Sequence, residues 1–322
     1  MPDPTKSRST AVKMFRGVAE PLATSILSDR PYRIPRGFPR WEELAVAIAL
    51  SLADGHSGDR ATTLHAHRSG VWLAQNLPLY LVRTPLLRQF QDTDIPLDSG
   101  HSLLSGLEFP LAGAIFLFPD NALATPDGGC LDWVVVHLSD TARPELSTGQ
   151  YRGLRFPLLK HEGNYRRNLH WSSVDTRTTV WFGGCSVDDR GNLITSDRRI
   201  GADEMGECDR HFTHQVRDIC LQAFLAACFQ PALVSAPTTT GTRRASGTRG
   251  NRKPAYWLPR EIRIPDVPTT ARRGNGGNGH ASPHAHWRRG HWRNQPVGPG
   301  RRDRKLTWIR PSLVNAGGGG DG

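Results

Sequence analysis

The sequence is poor in the features that usually announce a function. Its five cysteines, Cys130, Cys185, Cys208, Cys220 and Cys228, are odd in number and form no C-x-x-C pair. That pattern argues against a disulfide framework and fits a reducing compartment. No apolar run approaches the roughly 20 residues that span a bilayer, and the start, MPDPTKSRST, lacks the hydrophobic stretch of a signal peptide. A soluble, cytoplasmic protein with no membrane partner is expected. P-loop, G-x-S-x-G and H-E-x-x-H motifs are also missing, which removes the common signatures of P-loop nucleotide-binding proteins, serine hydrolases and metalloproteases.

Acidic residues are scarce in one region only. Residues 241 to 322 hold 17 Lys and Arg against 4 Asp and Glu, whereas residues 1 to 240 hold 24 against 26, so the net charge of +11 is −2 before position 240 and +13 after it. A near-neutral body with a basic end is the composition of a protein that meets RNA, ribosomes or another polyanion. A solvated tail without a partner has the same composition.

The chain divides accordingly. Residues 1–40, with Pro21, Pro31, Pro35 and Pro39 among basic residues, read as extended and partly ordered. Residues 41–231 read as a globular body. RWEELAVAIALSLADG, GDRATTLHAHRSGVWLAQNLPL and TPLLRQF have helical spacing, the last with Pro85 in its first turn. FPLAGAIFLF, LDWVVVHLS and a hairpin in TTVWFGGCSVDDRGNLITSD read as strands, and ECDRHFTHQVRDICLQAFLAACF as a long helix. The expected fold is α/β (α+β), with N-terminal helices on a central mixed or antiparallel sheet. Residues 232–280 are Thr-, Gly- and Arg-rich and read as a basic linker or long insertion, although AYWLPREIRIP regains a strand-like pattern. Residues 281–316 carry a His/Trp/Arg motif and a final strand, and 317–322 is a disordered tail.

The motif, HWRRGHWR at 286–293, repeats His-Trp-Arg around Arg289-Gly290. A spacing of five puts His286 and His291 on opposite faces of a strand and far apart around a helix, so a compact turn at Gly290 is expected to bring the two His-Trp pairs together. His284, His286 and His291 could in principle hold a metal, but the nearest carboxylate is Asp303 and the surroundings are cationic. No metal and no cofactor are expected. Metal-independent RNA cleavage remains open, with His291 as general acid or base and Arg289 stabilising phosphate charge. So does binding without chemistry, in which Arg288, Arg289 and Arg293 pair with phosphates while Trp287, Trp292 and Trp308 stack on bases. So does a plain packed turn. Cys208, His211 and His214 have metal-like spacing at a helix start, a pattern that more often marks a polar helix face.

The run SPHAHWRRGHWRNQPVGPGRRDRKLTWIRPSLVN resembles the end of the type V-A anti-CRISPR family that is second in its series, found on phages and other mobile elements. The shared features are Pro283-His284, then His286, then Arg288-Arg289-Gly290-His291-Trp292, and after a Gly-rich spacer Trp308, Pro311, Val314 and Asn315. Weaker likeness extends to LDWVVVHLS, to the helix GDRATTLHAHRSGVWLAQNLPLYLV and to the overall length. The resemblance implies a protein that recognises the nascent N-terminal peptide of a type V-A CRISPR effector and triggers degradation of its mRNA. It implies two partners, that peptide and RNA or the ribosome. It also implies that the basic end, with His284, His286, Trp287, Gly290, His291, Trp292 and Trp308, contributes the RNA side.

Overall fold

The structure, a computed structural model, describes residues 19–54, 60–95, 107–156, 167–176, 180–187, 193–195, 207–235, 259–264 and 286–314. Helices α1 (Ala19–Asp29), α2 (Trp41–Asp54) and α3 (Arg60–Ala74) come first, then β1 (Leu79–Val82), α4 (Thr84–Gln91), β2 (Thr93–Asp94), β3 (Gly113–Leu117) and β4 (Leu131–Asp140). A small hairpin, β5 (Gly149–Tyr151) and β6 (Leu154–Phe156), precedes β7 (Arg167–Asp175), β8 (Val180–Val187), β9 (Leu193–Thr195) and the long helix α5 (Glu207–Phe229). The chain continues through β10 (Arg260–Ile262), β11 (His286–Arg288), β12 (Gly290–Val297), β13 (Asp303–Ile309) and β14 (Ser312–Val314).

Seven strands form the central sheet in the order β10-β1-β3-β4-β7-β8-β9. β1 runs parallel to β10 and to β3, and the remaining pairs are antiparallel, so the sheet is mixed as expected. Its strands β1 and β3 are apolar without interruption because both their faces are covered. Alternation sorts the side chains. Leu79, Leu81, Ile115, Leu117, Trp133 and Val135 meet α1, α2 and α3, while Tyr80, Val82, Phe116, Val134 and Val136 meet α4 and α5. The helices therefore lie on both sides of the sheet.

Two expectations are corrected, and one strand goes beyond them. Residues 19–29 form a helix, not an extended segment: Ala19, Ala23 and Ile26 bury one stripe. Pro21 falls in the first turn, where no amide is needed, and Pro31 falls beyond the end, so the prolines frame this helix and do not break it. The residues 232–280 are not wholly linker, since β10 completes the sheet edge beside β1 and an isolated bridge joins Val234 to Ile262. β7 shows no plain strand pattern because Asn168, His170, Ser172 and Ser173 stand among its apolar residues. The stretches 1–18, 236–258, 265–285 and 315–322 lie outside the described residues, and with them the rest of the linker and the tail.

Asn168, His170 and Ser172 of β7 belong to a hydrophilic seam beneath α3. His65, Arg68 and Ser69 of α3 and His137, Ser139 and Ser172 of the sheet are fully buried, and His67 nearly so. His65 Nδ1 lies 2.9 Å from Ser172 Oγ, and Ser139 Oγ lies 3.2 Å from His170 Nε2. The Arg68 guanidinium donates to the Trp171 carbonyl, and burial pulls its pKa down to about 9. Burial, and then the Arg68 charge, lowers His65 to about 3 and His67 to about 4. Burial lowers His137 to about 3, with the charge of His67 adding and the Leu146 carbonyl opposing. The imidazoles are thus neutral parts of the core, closed to a macromolecular substrate.

This seam predicts acid sensitivity. An unfolded chain protonates these three histidines near pH 6.5, whereas the folded chain resists until about 4 or 3. Stability is therefore full above pH 6.5 and is lost as pH falls below it. Chemical denaturation at pH 7 and pH 5 is expected to differ by on the order of 5 kcal/mol, and by about a third less in His65→Gln.

Candidate functional site

The C-terminal motif folds as a long, interrupted β-ribbon. β12 pairs antiparallel with β13, and β11 with β14, so the two arms run together from His286 to Val314. The ladder breaks at Arg289 on one arm and at Arg310-Pro311 on the other, where proline has no amide to give. The expected compact turn at Gly290 is absent. The reversal lies at Pro299–Arg301 instead, where Gly298 and Gly300 take φ of 76° and 64°. The two His-Trp pairs consequently lie in different sheets: His286 and Trp287 pair with Val314 and Leu313, while His291 and Trp292 pair with Ile309 and Trp308.

Gly290 serves a different purpose, close approach. β12 also runs parallel to β2, setting Gly290 against Thr93 and His291 against Asp94, and the Gly290 amide donates to the Asp92 carbonyl at 3.0 Å. A β-carbon at position 290 would stand 2.4 Å from Thr93 Oγ1, 2.7 Å from Pro311 Cδ and 2.9 Å from the Ile309 carbonyl oxygen. Only glycine lets the ribbon seat here.

Alternation along the ribbon then separates structure from charge. Trp292 and Trp308 are 3% and 6% exposed and stack on each other at 6.3 Å, with Phe90 of α4 edge-on to Trp308 at 5.4 Å. The Trp308 indole N–H donates to Thr93 Oγ1 at 3.2 Å, and Gln230 Nε2 of the α5 end donates to the Leu306 carbonyl at 2.9 Å. These two indoles are core residues, unavailable to stack on a base. The opposite face carries His291, Arg293 and Gln295 of β12 and Lys305 and Thr307 of β13, of which Arg293, Gln295 and Lys305 are exposed. Arg288, Arg301, Arg302 and Arg304 add exposed cations at the two ends. Arg289, also exposed, reaches back to Asp94 at 3.1 Å. His284 lies outside the described residues.

A trough of two neighbouring concavities adjoins the ribbon. It runs along α5 past Cys208, His211, Phe212, Gln215, Asp218 and Gln222, and Arg289 stands at its inner end. The sequence offered no sign of it beyond the amphipathic helix, because its other wall comes from Asp94, Ile95 and the Leu123–Pro126 loop, far away in the chain. Among the described residues no group of three or more His, Cys, Asp or Glu side chains could hold a metal ion, and no helix is long and apolar enough to cross a membrane.

Residues 80–316 match the AcrVA2-like family, anti-CRISPR type V subtype A2, a span that takes in the central sheet, α5 and the whole ribbon. The chain belongs to that family. No curated protein matches it. Membership supports an anti-CRISPR role and a CRISPR-related partner, and it agrees with the resemblance carried by Arg288 to Trp292. Within those five residues Gly290 and Trp292 seat the ribbon, while Arg288, Arg289 and His291 face outward or toward the adjoining concavity.

The seating is testable at Gly290. Gly290→Ala is expected to cost roughly 1–3 kcal/mol, the usual penalty for forcing an atom into filled space, and to weaken the near-ultraviolet circular dichroism of the Trp292–Trp308 pair. Unchanged stability and signal would contradict the close approach.

Proposed function

We propose that this anti-CRISPR family member acts during synthesis of a type V-A CRISPR effector. Its α/β body recognises the effector's nascent N-terminal peptide, its ribbon contacts RNA or the ribosome, and the outcome is loss of the effector mRNA. The observation that carries the RNA half is the outward ribbon face. There Arg293 and Lys305 stand among Gln295, Thr307 and His291, flanked by the arginines of the turn. These groups suit sugar and phosphate contacts, which need cations and hydrogen-bond donors but no exposed aromatic ring. Family membership supports the CRISPR half.

The double variant Arg293→Glu/Lys305→Glu lies on the solvent face and should fold normally. RNA or ribosome affinity is expected to fall at least about tenfold near physiological salt, and the salt dependence to become shallower by roughly one unit per lost cation. Effector mRNA should then persist in cells. Unchanged affinity and unchanged mRNA loss would refute the assignment. Incubation of RNA with the pure protein in EDTA separates cutting by His291 with Arg289, which yields products, from recruitment of a host nuclease, which yields none.

A further inference from the structure

The trough along α5 consists of two neighbouring concavities. The inner part, about 220 Å³, is bounded by Asp94, Ile95, Ile219, Gln222 and Arg289. The outer part, about 490 Å³, is bounded by Phe212, His211 and the Thr125–Pro126 turn. Gln215 lines both and stands at their common border. From Cys208 to Gln222 the helix rises about 21 Å, the length of about six residues of extended chain.

Its lining is suited to a peptide backbone. Gln222 is 1% exposed, its Nε2 donates to the Phe90 carbonyl at 2.8 Å, and its Oε1 is buried with no partner among the described residues. A buried acceptor left empty costs free energy that an incoming N–H would recover. Gln215 and Gln91 present further amides, which can both donate and accept, as a main chain requires. Phe212, Ile219, Ile95 and Leu123 supply apolar surface for a side chain of the same segment. At the inner end the Asp94–Arg289 ion pair is more than half exposed on each side, so a charged group of the ligand could exchange into it.

We infer that this trough binds an extended peptide segment of about six residues, lying along α5 with one backbone N–H on Gln222 Oε1 and an apolar side chain against Ile219 and Phe212. The inference rests on the reading of the chain as a nascent-peptide binder and gives that reading a location. Arg289 belongs both to the trough and to the family motif that leads into the ribbon, so an occupied trough lies directly beside the proposed RNA face.

The test uses the full chain and two probes: a fluorescein-labelled synthetic peptide copying the effector N-terminus, and peptides selected from a random display library. Gln215→Trp obstructs the trough at an exposed position, and Gln222→Met removes the acceptor at similar volume. Both variants are expected to weaken the effector peptide at least about tenfold, and a photo-crosslinking residue at position 215 should capture it. If the effector peptide binds wild type and both variants equally, the trough assignment is overturned while nascent-peptide recognition stands. If only library peptides bind, and both variants abolish that binding, the trough is a peptide site and the effector reading fails. Crosslinking of residue 215 to the chain's own residues, or binding of neither probe, would overturn the inference.

Discussion

The functional surface depends on one packing event, the seating of Trp292 and Trp308 against Phe90. A two-stranded ribbon is marginal alone in water and needs a hydrophobic face to hold it. Here the two indoles provide that face, Thr93 Oγ1 fixes the orientation of one of them, and Gly290 permits the final approach to β2. Everything exposed on the ribbon inherits its position from this contact. The cations of Arg293 and Lys305 would otherwise belong to a loose basic tail. Instead they stand at defined register positions on a sheet continuous with the body.

The same contact connects the ribbon to the rest of the fold. Phe90 lies on α4, which packs with α5, and α5 forms one wall of the trough while its end holds Leu306 through Gln230. The central sheet backs α5 on one face and the three N-terminal helices on the other. That second face is where the chain places its buried histidines. Their neutrality shows a hydrophilic seam used for packing, stable near neutral pH and remote from the ribbon. The charge seen in composition and the histidines prominent in the helix RATTLHAHRSGVWLA thus serve separate ends.

Much of this was legible in the sequence, for reasons that differ by residue. β3, β4 and α5 were readable because burial on two faces leaves continuous apolar runs and a long apolar stripe. The ribbon's last arm was readable from Leu306 and Trp308 alternating with polar neighbours. Others were hidden: α1 by prolines that lie at its margins, β7 by serines and histidines that answer a polar helix, β1 by being only four residues long. The motif itself was the hardest. Gly290 suggested a turn because glycine permits unusual dihedrals, but its role is to leave space, and space depends on Thr93 and Pro311, which no local pattern can reveal. The two tryptophans suggested stacking on bases, and only strand pairing shows that Trp292 and Trp308 stack on each other. The trough joins segments more than a hundred residues apart and left no local trace.

The peptide site and the RNA face proposed for this chain are separable surfaces. The most direct measurement is a crosslinking capture from translating cells that reports bound peptide and bound RNA from the same sample, with wild type and with the charge-reversed ribbon. Wild type is expected to yield effector peptide and effector mRNA together, and the variant peptide without mRNA. Loss of both signals in the variant, or recovery of both undiminished, would contradict it.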